Sequence, residues 1–118
     1  MKLTTLNLQG FTDWEIRKPK IISYLQTLDP DIIFFQEVVF LPEISLYNQM
    51  QILNETLNYP YEHSAVTRLQ VGLEHETYRE GLGLLSKYPI TKTDTLILKQ
   101  AQGDEHQRII QLADVVIG

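Results

Sequence analysis

The stretch Asp31-Ile-Ile-Phe-Phe-Gln-Glu37 decides how the rest of the chain is read. Ile32 to Phe35 form an apolar run too short for a helix. Their β-branched and aromatic side chains suit a strand buried on both faces. The run ends on Gln36 and a carboxylate, Glu37. Ligands of α/β proteins bind beyond the carboxyl ends of parallel strands. A carboxylate at the mouth of such a strand is a candidate for chemistry; the plainer reading is the first solvated residue after a strand.

Upstream, Lys2 to Leu8 alternates, with Leu6 and Leu8 on one side and Leu3, Thr5 and Asn7 on the other. That is strand periodicity, and Gly10 suits the turn that ends it. Ile21, Ile22, Leu25 and Leu28 lie on one face of a helix within Asp13 to Asp29. Pro19 suits its first turn, where a missing N–H costs little. Leu28-Asp29-Pro30 stops it, because the residue before proline avoids the helical region. Strand, helix and strand at this spacing predict a βαβ unit with parallel strands and a right-handed crossover. Asn7 and Glu37 then come to the same edge of the sheet.

Downstream, Val38 to Pro42 reads as a loop, and Leu46, Met50, Leu53 and Leu57 as the core-facing stripe of a second helix ended by Asn58-Tyr59-Pro60. The chain then turns β. Strands are expected at Tyr61 to Thr67, Gly81 to Ser86, Thr91 to Leu98 and Ile109 to Ile117. Arg68 to Glu80 reads as a long polar loop, and Lys99 to His106 as a polar turn.

A length of 118 residues is that of one domain, and 43% hydrophobic with 21% charged residues is a globular composition. The net charge of −5 supplies no basic surplus for phosphate contacts, so binding to duplex nucleic acid is possible but not indicated. The absence of cysteine excludes a disulfide framework, a thiolate nucleophile and a cysteine zinc site. No apolar run approaches the roughly 18 residues of a membrane span. Met1 to Leu8 lacks a signal-peptide core, and a cytoplasmic location is expected.

Three segments together resemble the endonuclease/exonuclease/phosphatase superfamily of metal-dependent phosphodiesterases, deoxyribonuclease I-like enzymes among them. They are Thr5-Leu-Asn-Leu-Gln-Gly10, Pro30-Asp-Ile-Ile-Phe-Phe-Gln-Glu-Val38 and Glu80-Gly-Leu-Gly-Leu-Leu-Ser-Lys-Tyr-Pro-Ile90. The first is similar to the family's opening strand ending in asparagine. The second is similar to its Gln-Glu motif, the third to its Gly-x-x-x-Leu-Ser-x-x-Pro hairpin. Arg108 to Val116 resembles its next strand.

The resemblance implies an α+β fold: half of a four-layer αββα sandwich, with a mixed β-sheet carrying helices on one face. It implies a Mg²⁺-dependent phosphoester hydrolase, Mn²⁺ being the alternative ion, acting by in-line attack of water. Glu37 and Asn7 are then metal ligands and catalytic residues, offering the ion one carboxylate and a carbonyl oxygen. Asn7 orients the metal ligands or contacts the phosphate. Gln36 lies behind the ligands or against the substrate. Tyr78, Arg79 and Glu80, with His75, lie beside the expected cleft and are candidates for substrate contact, ordinary loop surface being the plainer reading. His63 reads as a packed sheet histidine, and Trp14 as a hydrophobe at a helix start.

The family's Gly-Asp-x-Asn segment, a further Asp and a terminal Ser-Asp-His segment find no counterpart. Gly103-Asp104 is followed by Glu105 and His106, and His106 reads as a turn residue. Residues 1–118 are accordingly expected to be the N-terminal part of one such domain, inactive alone and prone to self-association through an uncovered sheet face. The alternative is a non-catalytic binding module that keeps the metal-side half of the fold. A dinucleotide-binding domain lacks its Gly-x-Gly-x-x-Gly after the first strand.

Overall fold

The computed structural model describes residues 1–70, 78–99, 102–103 and 108–118, with the main chain only at 66–70 and 78. Strand β1 (Leu3–Asn7) leads through helix α1 (Trp14–Leu28) to β2 (Ile32–Phe40). Leu3 to Asn7 pair in parallel with Ile32 to Gln36, the expected βαβ unit. Helix α2 (Gln49–Leu57) follows, then β3 (Tyr61–Gln70), β4 (Tyr78–Ser86), β5 (Ile90–Ile97) and β6 (Ile109–Val115). The main sheet has the order β1-β2-β4-β3 and is mixed, because β4 runs antiparallel to both β2 and β3. Strands β5 and β6 form a separate antiparallel pair.

Both helices pack on one face of the main sheet. There Leu8, Trp14, Leu25, Ile33, Phe35, Val38, Met50, Leu53 and Leu85 form a buried cluster. Truncating a fully buried residue such as Leu53 to alanine costs about 2–5 kcal/mol in cores of this kind. Gly83 in β4 lets α2 approach closely, since a Cβ there would meet Met50 Sδ at 2.5 Å. The β5–β6 pair lies against β3 and β4, with Gln111 Nε2 donating to the His63 carbonyl at 3.2 Å. Leu84 and Ala65 are buried although neither belongs to the helix-side cluster. The β1–β2 part of that second face stays open, with Leu3 and Phe34 exposed. This is an α+β half-sandwich with a separate two-stranded sheet beside the main one.

Four boundaries differ from the sequence reading. Helix α1 begins at Trp14, not near Pro19, which sits inside it. Trp14 is buried and meets Phe11 edge-to-face at 5.8 Å, so burial of the indole fixes the start. Residues Val38 to Phe40 continue β2 and are not a loop. Leu46 precedes α2 and is 85% exposed. The helix starts instead at a capping box: Asn48 accepts from the Gln51 N–H at 3.0 Å, and Gln51 Oε1 accepts from the Asn48 N–H at 3.0 Å. The expected loop from Arg68 to Glu80 shrinks, because its two ends pair as β3 and β4; residues 71–77 lie outside the described residues.

The N-terminal ends of β1 and β2 are tied to the end of β4 by ion pairs. Lys87 Nζ lies 2.9 Å from Asp29 and 3.8 Å from Asp31, and its hydrogen bond to Asp29 raises the ammonium pKa. Burial raises the pKa of Tyr59, whose hydroxyl donates to the Pro30 carbonyl. This network lies at the end of the sheet away from Asn7 and Glu37.

Candidate active site

At the opposite end, β2 carries a defect that re-aims its side chains. Phe35 pairs with Gly83 and Val38 with Gly81, so Gln36 and Glu37 together oppose the single residue Leu82. That is a β-bulge, and Glu37 within it has φ 51°, in the left-handed region that non-glycine residues seldom adopt. Without the extra residue, strict alternation would turn Glu37 toward the helix-side core with Ile33 and Phe35. With it, Val38 takes the core position and Glu37 is exposed. Strand β3 has its own irregularity at the same level, between Ala65 and Arg68, so β4 is flanked on both sides.

The bulge opens onto a cleft of about 190 Å³ lined by Gln36, Glu37, Glu80, Gly81, Leu82, Arg108 and Ile109. Two acidic residues and an arginine therefore line one hollow between the main sheet and the start of β6. Asn7 stands one strand over. It pairs with Gln36, and the Leu8 N–H donates to the Gln36 carbonyl at 2.9 Å. Parallel pairing thus brings Asn7 and Glu37 to the same end of adjacent strands.

The asparagine is held in one orientation. Its Oδ1 accepts from the Gln9 N–H at 2.8 Å, closing a local turn and assigning the oxygen by the donor it meets. The Nδ2 donor and the second lone pair of Oδ1 are the parts of Asn7 left to face a ligand. Gln36 is fixed across the ladder, its Nε2 donating to Thr5 Oγ1 at 2.7 Å.

Of the expected substrate contacts, Glu80 lines the cleft. Arg79 is exposed one position along β4 and does not line it. The side chain of Tyr78, together with His75 and His106, lies outside the described residues. His63 sits in β3 paired with Leu84, and its buried Nε2 has no hydrogen-bond partner among the described residues. The sequence reading assigned no role to Arg108. Its signal was a lone cation immediately before the apolar run of the last strand.

Among the described residues no three of His, Asp and Glu converge as a ready metal cage. The donor set in the cleft nevertheless fits a hard cation. Glu37 and Glu80 both line one open hollow, and Mg²⁺ is usually held by one or two carboxylates with water and substrate phosphate completing its shell.

Residues 4–116 match the family model described as the Endonuclease/Exonuclease/phosphatase family. An endonuclease/exonuclease/phosphatase family protein from Leptotrichia buccalis C-1013-b is similar in structure, with a TM-score of 0.77 at 20% identity. The match covers 99% of this chain and 49% of that one. An endonuclease/exonuclease/phosphatase from Beutenbergia cavernae DSM 12333 gives 0.81 at 18% identity, over 99% and 34% respectively. This chain thus spans about half, or less, of the length of these two proteins. No curated protein matches it. At such identities the two structures speak to the fold alone, and the sequence match carries membership. The chain belongs to the endonuclease/exonuclease/phosphatase family.

Proposed function

We propose that this chain carries the Glu37 side of the active site of a divalent-metal-dependent phosphoester hydrolase. The observation that carries the reading is the bulge, which turns Glu37 out of the core and into a cleft shared with Glu80 and Arg108. Glu37 and Glu80 would hold Mg²⁺, or Mn²⁺ in its place. When bound, the ion supplies charge neutralisation at the phosphoryl oxygens and the leaving group. Arg108 offers a guanidinium to the same phosphate, whose geometry its planar donors match. Asn7 presents Nδ2 as a hydrogen-bond donor, and Gln36 packs beside it as the floor under the substrate. A water oxygen attacks phosphorus, the bond to the leaving oxygen breaks, and the proton of the water goes to solvent or to the departing alkoxide.

General-base assistance in such a step is worth typically 10²- to 10⁴-fold. Both cleft carboxylates are assigned to the cation, and among the described residues no histidine lines the cleft. The 118 residues are on this reading the N-terminal part of the domain, and the isolated chain is inactive. The charge balance of −5 does not indicate duplex nucleic acid and does not choose between phospholipid and small phosphoesters.

Calorimetric titration with Mg²⁺ and Mn²⁺, alongside hydrolysis of a chromogenic phosphodiester, tests the reading. Weak binding that disappears in Glu37→Gln, without turnover, is the expected result. Equal heats for both proteins would remove Glu37 from a metal site and favour a binding module. Turnover lost in Glu37→Ala would overturn the inactive-chain reading.

A further inference from the structure

Gln49, the first residue of α2, has no exposed surface. A buried amide without partners is costly, at about 1–3 kcal/mol per unsatisfied group. Both ends of this one are bonded. Its Oε1 accepts from the Val39 N–H at 3.1 Å, and its Nε2 donates to the Gly10 carbonyl at 2.6 Å. An N–H requires an acceptor and a carbonyl a donor, so the partners themselves fix which end of the amide is which.

Those two partners are not arbitrary points on the backbone. Gly10 lies in the turn just after Asn7, and Val39 follows the bulge just after Glu37. Strand β1 stops at Asn7 while β2 runs on to Phe40. Beyond that point β2 has no β1 neighbour, and the Gln49 amide takes up the Val39 N–H there.

The turn after Asn7 cannot hold its own shape cheaply. Gln9 and Asp13, neither of them glycine, adopt φ 54° and 52°. Arg17 braces it from α1. Its Nη2 donates to the carbonyls of Leu8 at 2.8 Å and Gly10 at 3.0 Å, and its Nε to that of Thr12 at 2.6 Å. The Gly10 carbonyl is therefore shared between Arg17 and Gln49, and the chain of bonds runs from α1 through the turn to α2 and the end of β2.

We propose that Gln49, with Arg17 behind it, is the positioning residue of the site: it locks together the two strand ends that present Asn7 and Glu37. The inference rests on the metal-site reading above. Neither residue lines the cleft, so each acts through the backbone. A purely space-filling Gln49 would be replaceable by an apolar residue of similar volume, and that is where the two accounts part.

The test is nuclear magnetic resonance on the 118-residue chain with Mn²⁺ as the probe. It compares wild type, Glu37→Gln, Gln49→Met and Arg17→Lys. Methionine keeps the volume but loses both bonds, and lysine keeps the charge but cannot fork across three carbonyls. Mn²⁺ should broaden the amide signals of Gln36, Glu37 and Glu80 in wild type but not in Glu37→Gln. Residues supporting metal ligands typically contribute 10- to 100-fold in affinity, so Gln49→Met should need about that much more Mn²⁺. The core signals of Phe35 and Leu85 should stay in place. Arg17→Lys should move the same way by less, and it serves alone if Gln49→Met does not fold.

A Gln49→Met chain that titrates like wild type overturns the proposal. If wild type shows no broadening at Glu37, the metal reading fails instead, and positioning is then read from backbone shifts. Loss of the left-handed signature at Gln9 and Glu37 in the two variants supports it, and unchanged shifts overturn it.

Discussion

Glu37 combines two properties that rarely meet in one residue: it is not glycine, and its φ of 51° is in the left-handed region. Such a conformation costs on the order of 1–3 kcal/mol and persists where surrounding structure imposes it. Here the imposition comes from Val38 and Phe35, both buried in the core cluster on either side. Because the Glu37 side chain is exposed, substitutions there report backbone preference and not packing. Asparagine tolerates this region and β-branched residues do not. Glu37→Asn should therefore be at least as stable as wild type, and Glu37→Val less stable by about 1–2 kcal/mol. Urea denaturation of the pair checks this, and equal midpoints would contradict the conformational account. The identity and location of Glu37 were legible from the run of apolar residues before it. The bulge left a fainter trace: core positions Ile33, Phe35 and Val38 slip by one residue where strict alternation would continue. Read as the end of a strand, the slip hid the continuation to Phe40.

The elements show where periodicity misleads and capping chemistry corrects it. Leu46 fits the stripe of Met50, Leu53 and Leu57, yet it is among the most exposed large hydrophobes of the chain. What stops α2 from extending back to it is Asn48, whose ψ of 169° is extended and whose side chain closes the capping box with Gln51. An Asn with Gln three residues on is visible in the sequence and outweighs one more apolar residue in register. Asn48→Ala should cost about 1 kcal/mol, and Leu46→Ala should stay within about 0.5 kcal/mol of wild type. Chemical denaturation followed by circular dichroism distinguishes the two, and a larger effect at Leu46 would mean the helix begins earlier than its cap. The N-terminal part of α1 was harder to read, since Pro19 argues for a later start and only the buried Trp14 overrules it.

On the scale of the molecule, the βαβ start and antiparallel continuation follow from the order of apolar runs. The separation of β5 and β6 into a second sheet does not, because alternation fixes faces and not the sheet a strand joins. That pair covers β3 and β4 but leaves Leu3 and Phe34 open on the neighbouring strands, while Leu96, Ile110 and Leu112 are exposed on the pair itself. Contiguous apolar surface beyond a few hundred Å² signals association. The chain by itself should accordingly self-associate at high concentration, and Phe34→Ser should weaken the assembly. Sedimentation equilibrium reads both outcomes. A monomer at millimolar concentration would show that the open β1–β2 face is tolerated in water.

Setting Glu37 aside, β2 keeps a strict beat: Ile33 and Phe35 face inward before the gap, and Val38 resumes afterwards as though nothing had intervened. The Glu37 carboxylate thus occupies a supernumerary position, outside the alternation that builds the core. The side chain at this position can be exchanged without repacking a single buried residue, so whatever it does is free to change independently of the scaffold.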